Sequence, residues 1–147
     1  MTPKDDSTNE VAARITERHL TWGWVGLLVF ASLGVTLELL HGFKVNMYLN
    51  VQNETRRLMW TLSHAHGTFL SLVHIVFAAT VFIRQPEHVA RMNRASTLFV
   101  IAGLLIPAGF FAGGIWVYGG DPNLWILLLP AGALCLLTAI AQTIRLR

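Results

Sequence analysis

Polar and apolar positions segregate along this chain into long blocks rather than short periods. Leu20–Leu40 carries one ionised side chain, Glu38, while Leu58–Ile83, Ala95–Tyr118 and Leu124–Ile144 carry none. Each block matches the roughly 20 apolar residues that an α-helix needs to cross a bilayer. Polar connections separate the blocks: His41–Arg57, then Arg84–Arg94 with Pro86, then the tight turn GGDPN at Gly119–Asn123. The pattern predicts an all-α integral membrane protein. A polar tail over residues 1–18 precedes a four-helix transmembrane domain over residues 19–147. Helix 2 is expected over about Arg56–Ile83, and the GGDPN turn should make helices 3 and 4 an antiparallel hairpin. In helix 3, Pro107 should produce a kink that neighbouring helices compensate. The stretch GFFAG, Gly109–Gly113, should allow close helix approach.

Composition supports the same class. Of 147 residues, 54% are hydrophobic and 13% charged, whereas a soluble domain carries about a quarter charged residues. The net charge of +3 does not point to nucleic acid, because the basic residues stand at the edges of the apolar blocks. In a four-pass arrangement Lys4, Arg14, Arg18, Arg84, Arg91, Arg94, Arg145 and Arg147 share one side. Lys44, Arg56 and Arg57 share the other. The positive-inside rule then places both termini in the cytoplasm, and the expected location is a bacterial inner membrane. The tail is too poor in apolar residues for a secretory signal. The one cysteine, Cys135, lies in helix 4, which excludes an intrachain disulfide and a CxxC site.

Candidate chemistry concentrates on helix 2. Met59–Phe77 reads MWTLSHAHGTFLSLVHIVF and holds His64, His66 and His74 without any Asp, Glu, Lys or Arg. At 100° per residue, His66 lies about 200° from His64, so the two rings diverge and serve different pockets. One arc between them carries Trp60, Ser63, Gly67, Ser71, His74 and Ala78. The other carries Leu62, Ala65, Phe69, Leu72, Val73 and Val76 and is lipid-like. Ser63, Gly67 and Ser71 suit helix packing, and equally the approach of a flat macrocycle. Ionisable groups inside a membrane are costly and are paired or functional. Imidazole is a good axial ligand to haem iron and suits copper and zinc. His74 on its own reads as a helix-packing hydrogen bonder. His41 reads as a helix-end group beside water, and His19 and His88 as surface residues at membrane edges.

The stretch LMWTLSHAHGTFLSLVHIVF resembles the second transmembrane helix of haem-copper oxidase subunit I, whose T-x-H-G-T-type sequence carries a haem-ligating histidine. The match falls on His66, Gly67 and Thr68. More loosely, LELLHGF resembles that family's first helix. IWVYGGDPNLWILLLPAGALCLLTAI resembles its passage from the third helix to the fourth, so the likeness spans about residues 19 to 145. The family's subunit has twelve helices in three arcs of four, and this chain corresponds to one arc. A homo-oligomer is expected, a trimer whose three copies would complete a twelve-helix ring, although the family itself does not show that stoichiometry. The family also carries an H-x-H whose two histidines face two pores. By that likeness, His64 of one copy and His66 of a neighbour would hold non-covalent haem b between them. Helix 3 has no histidine, so the family's copper site is incomplete, and oxygen reduction is not expected.

Three readings follow. The first is a membrane-bound b-type haem protein for electron transfer or gas binding, with an unidentified redox partner. Its cofactor-binding residues are His64, His66 and Gly67, with Arg56 and Arg57 placed to pair with propionates. The second is a copper or other transition-metal protein using His64, His66 or His74, in which three His74 rings meet on a threefold axis. The third is a cofactor-free structural or assembly protein. Glu38, one turn from the end of helix 1, is expected to face protein or the outer interface, most simply paired with Arg56 or Arg57.

Overall fold

A computed structural model describes residues 3–50, 54–84 and 88–146, with side chains from Ser7 onward. Four helices carry the chain: α1 (Pro3–Gly42), α2 (Thr55–Arg84), α3 (Val89–Gly113) and α4 (Leu128–Ile144). A 3-10 turn, Leu124–Leu127, leads directly into α4. All four spans are long and apolar enough to cross a membrane. Large side chains such as Leu28, Phe69, Val76, Phe82 and Leu134 lie exposed on the outside, as helices facing lipid require.

The helices form an open row. α1 packs on α2, α2 on α3 and α3 on α4, while α1 meets α3 only slightly. Burial follows this order. In the most apolar windows of α2 and α3, 39% and 44% of residues are buried, against 11% in α1 and α4. Two apolar clusters fill the row. Near the end where α3 begins, Ile15 meets Phe77, Val81, Met92, Phe99 and Leu146. Towards the other end, Leu70, Ala102 and Ile106 pack with Phe110, Leu129 and Leu136.

α1 departs from the expected boundary at residue 18. It runs unbroken from Pro3, and Ala12 and Ile15 of the polar segment are buried. These residues begin a seam spaced by three and four: Ala12, Ile15, His19, Gly23, Gly26, Phe30, Gly34, Leu37. That spacing keeps one helix face towards a neighbour. Its glycines admit side chains of α2. A Cβ at Gly26 would strike the Ser71 hydroxyl, and one at Gly34 would strike the His64 ring. In return Gly67 of α2 accepts the Phe30 ring.

The connection between α3 and α4 contains two strands, β1 (Val117–Tyr118) and β2 (Asp121–Pro122), paired antiparallel. Gly119 and Gly120 have φ of 59° and 95°. Two positive-φ residues make the turn whose twist suits a two-residue hairpin. This confirms the tight antiparallel reversal and adds a pair of short strands. Asn123 fixes it: its Nδ2 donates to the Ala112 carbonyl at 2.8 Å, and its Oδ1 accepts from the Trp125 amide at 2.9 Å. The Thr55 hydroxyl, at the start of α2, donates to the Gly120 carbonyl.

Candidate functional site: the histidines of α2

The first turns of α2 form a clamp at one end of the row. Arg56 donates through Nε to Gly114, through Nη1 to Met47 and through Nη2 to Ile115, all backbone carbonyls, at 3.0, 3.0 and 3.1 Å. Tyr48, Trp60 and Phe111 stack beside it, with ring centroids 6.3 and 5.5 Å apart. The Trp60 indole N–H donates to the Phe111 carbonyl. Arg57 pairs with Glu54 at 2.8 Å. Glu38 does not pair with either arginine, contrary to the simplest expectation. It lines a cleft of about 450 Å³ with His41, Tyr48, Thr61 and His64. The reason is that Arg56 is already committed to loop carbonyls and Arg57 to its own helix.

His64 and His66 stand two and three turns into α2, on opposite flanks as the helical wheel requires. The His64 Nδ1 lies 2.7 Å from the Phe30 carbonyl oxygen of α1. The His66 Nδ1 lies 2.9 Å from the Leu62 carbonyl oxygen, and its ring packs on Phe110 of α3 at 4.8 Å. A carbonyl oxygen can only accept, so each Nδ1 carries the hydrogen. In a neutral imidazole the Nε2 lone pair is then left available. Both rings are half-buried. Thr68, on the His64 flank, holds the one buried side-chain oxygen without a partner among the described residues.

Ser63, Gly67 and Ser71 face inward, as the polar arc predicts, and all three are buried. Their packing is within the chain. Ser63 donates to the Pro107 carbonyl at 2.9 Å, and Ser71 to the Gly67 carbonyl at 2.7 Å. The Phe30 ring occupies the space over Gly67. Close approach here therefore serves α1 and α3 rather than a second chain. The three residues also floor an apolar groove of about 490 Å³ between α1 and α3. The face of α2 that remains free lies between the two imidazoles and carries Ala65, Phe69, Leu72 and Val76.

His74 turns into the core. Its Nδ1 is 2.6 Å from the Nδ1 of His19, and the His19 Nε2 is 2.9 Å from the Ser96 hydroxyl. Trp22 stacks over His74 at 6.2 Å, and Phe77 meets the His19 ring edge-on at 4.7 Å. His19 is thus no surface residue: it is fully buried. The chain Ser96–His19–His74 joins α3, α1 and α2, and one proton lies between the two Nδ1 atoms whichever ring donates it. This arrangement commits one ring nitrogen of His74 to a bond within the chain, while the ring also lines the groove between α1 and α3. Among the described residues no three His, Cys, Asp or Glu side chains gather to hold a metal ion.

The sequence placed His19 at the surface and did not single out Ser96, because the partners of each lie on other helices. The seam spacing that includes His19 was the available signal. No protein-family model, no curated protein and no solved structure matches this chain.

Proposed function

We infer that the protein is a membrane-bound b-type haem protein, in which His64 and His66 would hold the haem at contacts between copies of the chain. The observation that carries this reading is the hydrogen bond at each Nδ1. Metal-ligating histidines donate their other ring N–H to a carbonyl or carboxylate, which fixes ring and tautomer. Here both rings are set that way, with their Nε2 atoms on opposite flanks of one helix. The unpartnered Thr68 hydroxyl beside His64 fits a site completed by something further.

One helix cannot present both nitrogens to one iron, so each haem would be held by His64 of one copy and His66 of the next. The exposed strip Ala65–Phe69–Leu72–Val76 is the face that copies share. Three copies in a ring, each an open row of four helices, make the arrangement that haem-copper oxidase subunit I builds in one chain. The haem supplies reversible one-electron chemistry when bound. The protein's part is to hold both imidazoles in one tautomer and exclude water. Arg56 keeps its loop carbonyls, and Arg57 is the arginine free to exchange Glu54 for a propionate. Both termini lie in the cytoplasm by the distribution of Lys and Arg.

The test is complementation. His64→Ala and His66→Ala chains expressed separately each lose bis-histidine haem. Co-expressed, they regain a fraction of intact sites, because one interface can join the surviving His66 to the surviving His64. Full haem retention by a monomer contradicts the shared site.

A further inference from the structure

At the end of the row opposite the Arg56 clamp, His88, Ala90, Arg91 and Arg94 of the α3 start face Gln142 and Arg145 of α4 across a cleft of about 350 Å³. The sequence explains the convergence. His88, Arg91 and Arg94 are spaced three apart, which keeps them on one side of a helix, and Gln142 and Arg145 repeat that spacing on α4. We propose that this cleft binds the phosphate headgroup of an anionic phospholipid.

Four observations support it. First, the described residues give this charge no counter-ion. Between His88 and Leu146 the only carboxylate is Asp121, which lies in the hairpin at the far end of α3 and α4. Among the described residues no carboxylate lies within ion-pair distance of Arg91, Arg94 or Arg145, the one recorded pair being Arg57–Glu54. Second, Arg91 is held in place. Its Nη1 donates to the Arg145 carbonyl at 2.6 Å, which ties the α3 start to the α4 end and leaves its remaining donors for a ligand.

Third, the backbone adds to the field. The Arg91 and Met92 N–H groups bond the His88 carbonyl, but those of Val89 and Ala90 have no helical carbonyl to bond, the His88 side chain does not cap them, and a helix N-terminus attracts anions. Fourth, the depth is right. Arg91 and Arg94 lie within about two turns of the helix start, roughly 3–8 Å at 1.5 Å per residue, in the layer where headgroups sit. Below Arg145, eleven residues back and so on the same face of α4, Leu134 is 67% exposed and gives an acyl chain an apolar track. Guanidinium matches phosphate through paired N–H donors.

The experiment counts bound lipid by native mass spectrometry on detergent-purified full-length protein. Phosphatidylglycerol, phosphatidylcholine and inorganic phosphate are titrated separately. Phosphatidylglycerol is expected to bind more tightly than phosphatidylcholine. An arginine near an anionic lipid contributes about fivefold in affinity, so Arg94→Gln with Arg145→Gln should lose roughly twenty-five-fold. Lys44→Gln, at the other end, should leave the phosphatidylglycerol affinity unchanged. Equal binding of the two lipids overturns the proposal, as does full affinity in the double variant. Inorganic phosphate that binds as well as phosphatidylglycerol assigns the cleft to a soluble anion and likewise overturns it. If the double variant does not fold, salt titration of the native chain decides: a preference for phosphatidylglycerol that is indifferent to salt contradicts a guanidinium site.

Discussion

Gly34→Ala isolates the contact that joins the seam of α1 to the candidate site. A Cβ built at Gly34 meets the His64 ring at Cε1 and lies 2.8 Å from Nδ1 and 3.0 Å from Nε2. The ring cannot simply swing aside, because its Nδ1–H is bonded to the Phe30 carbonyl one turn away. Three terms set the outcome. Replacing glycine by alanine inside a helix gains up to about 1 kcal/mol. Forcing an extra methyl into a packed contact costs about 1–3 kcal/mol. Losing the Nδ1–H bond costs about 1 kcal/mol more. The net expectation is a loss of about 1–3 kcal/mol. Gly42→Ala on the same helix is the internal control, since a Cβ there meets nothing within 4 Å, and it should be neutral or slightly stabilising. Unfolding in mixed micelles of rising SDS content, followed by tryptophan fluorescence, measures both. Equal stability of the two variants would refute the wedge of His64 between Gly34 and Phe30.

Other outcomes follow from the same geometry. His19→Ala leaves a buried imidazole and the Ser96 hydroxyl without their partner and should cost about 2–4 kcal/mol. The double change His19→Leu with His74→Leu removes both partners of the short bond and should recover much of that loss, read in the same unfolding assay. Arg56→Ala should loosen both connections that it bonds and raise their amide hydrogen exchange, whereas Arg57→Ala should shift stability by no more than about 1 kcal/mol, as an exposed pair does. Gly120→Ala, at φ 95°, should cost about 1–2 kcal/mol, with the strain confined to the hairpin. Cysteines placed at Asn46 and His88 should label from opposite sides of the membrane, and labelling of both from one side would contradict the four-pass topology.

The number and order of the helices were legible because each apolar block is long enough to span a membrane and is bounded by charge. The inward face of α2 was legible too, since Ser63, Gly67, Ser71 and His74 recur at intervals of three and four. What the sequence hid was pairing between segments. The polar tail concealed a narrow seam: Ala12 and Ile15 are too few to lift its mean hydropathy, yet they carry α1 onto the other helices. His19 looked peripheral because its partners, His74 and Ser96, are 55 and 77 residues away. Arg56 invited a ligand role by its charge, and only the positions of the Met47, Gly114 and Ile115 carbonyls reveal its use as a clamp. The divergence of His64 and His66 was fixed by their spacing alone. Their hydrogen-bond partners depended on which helix lay on each flank.

The absorption spectrum of the detergent-purified protein, oxidised and then reduced, tests the central claim most directly. Bis-histidine haem gives a Soret band that moves on reduction, with sharp α and β bands, and both His64→Ala and His66→Ala abolish that signature. A colourless protein purified from haem-replete cells, or a haem spectrum unchanged in both variants, would contradict the account.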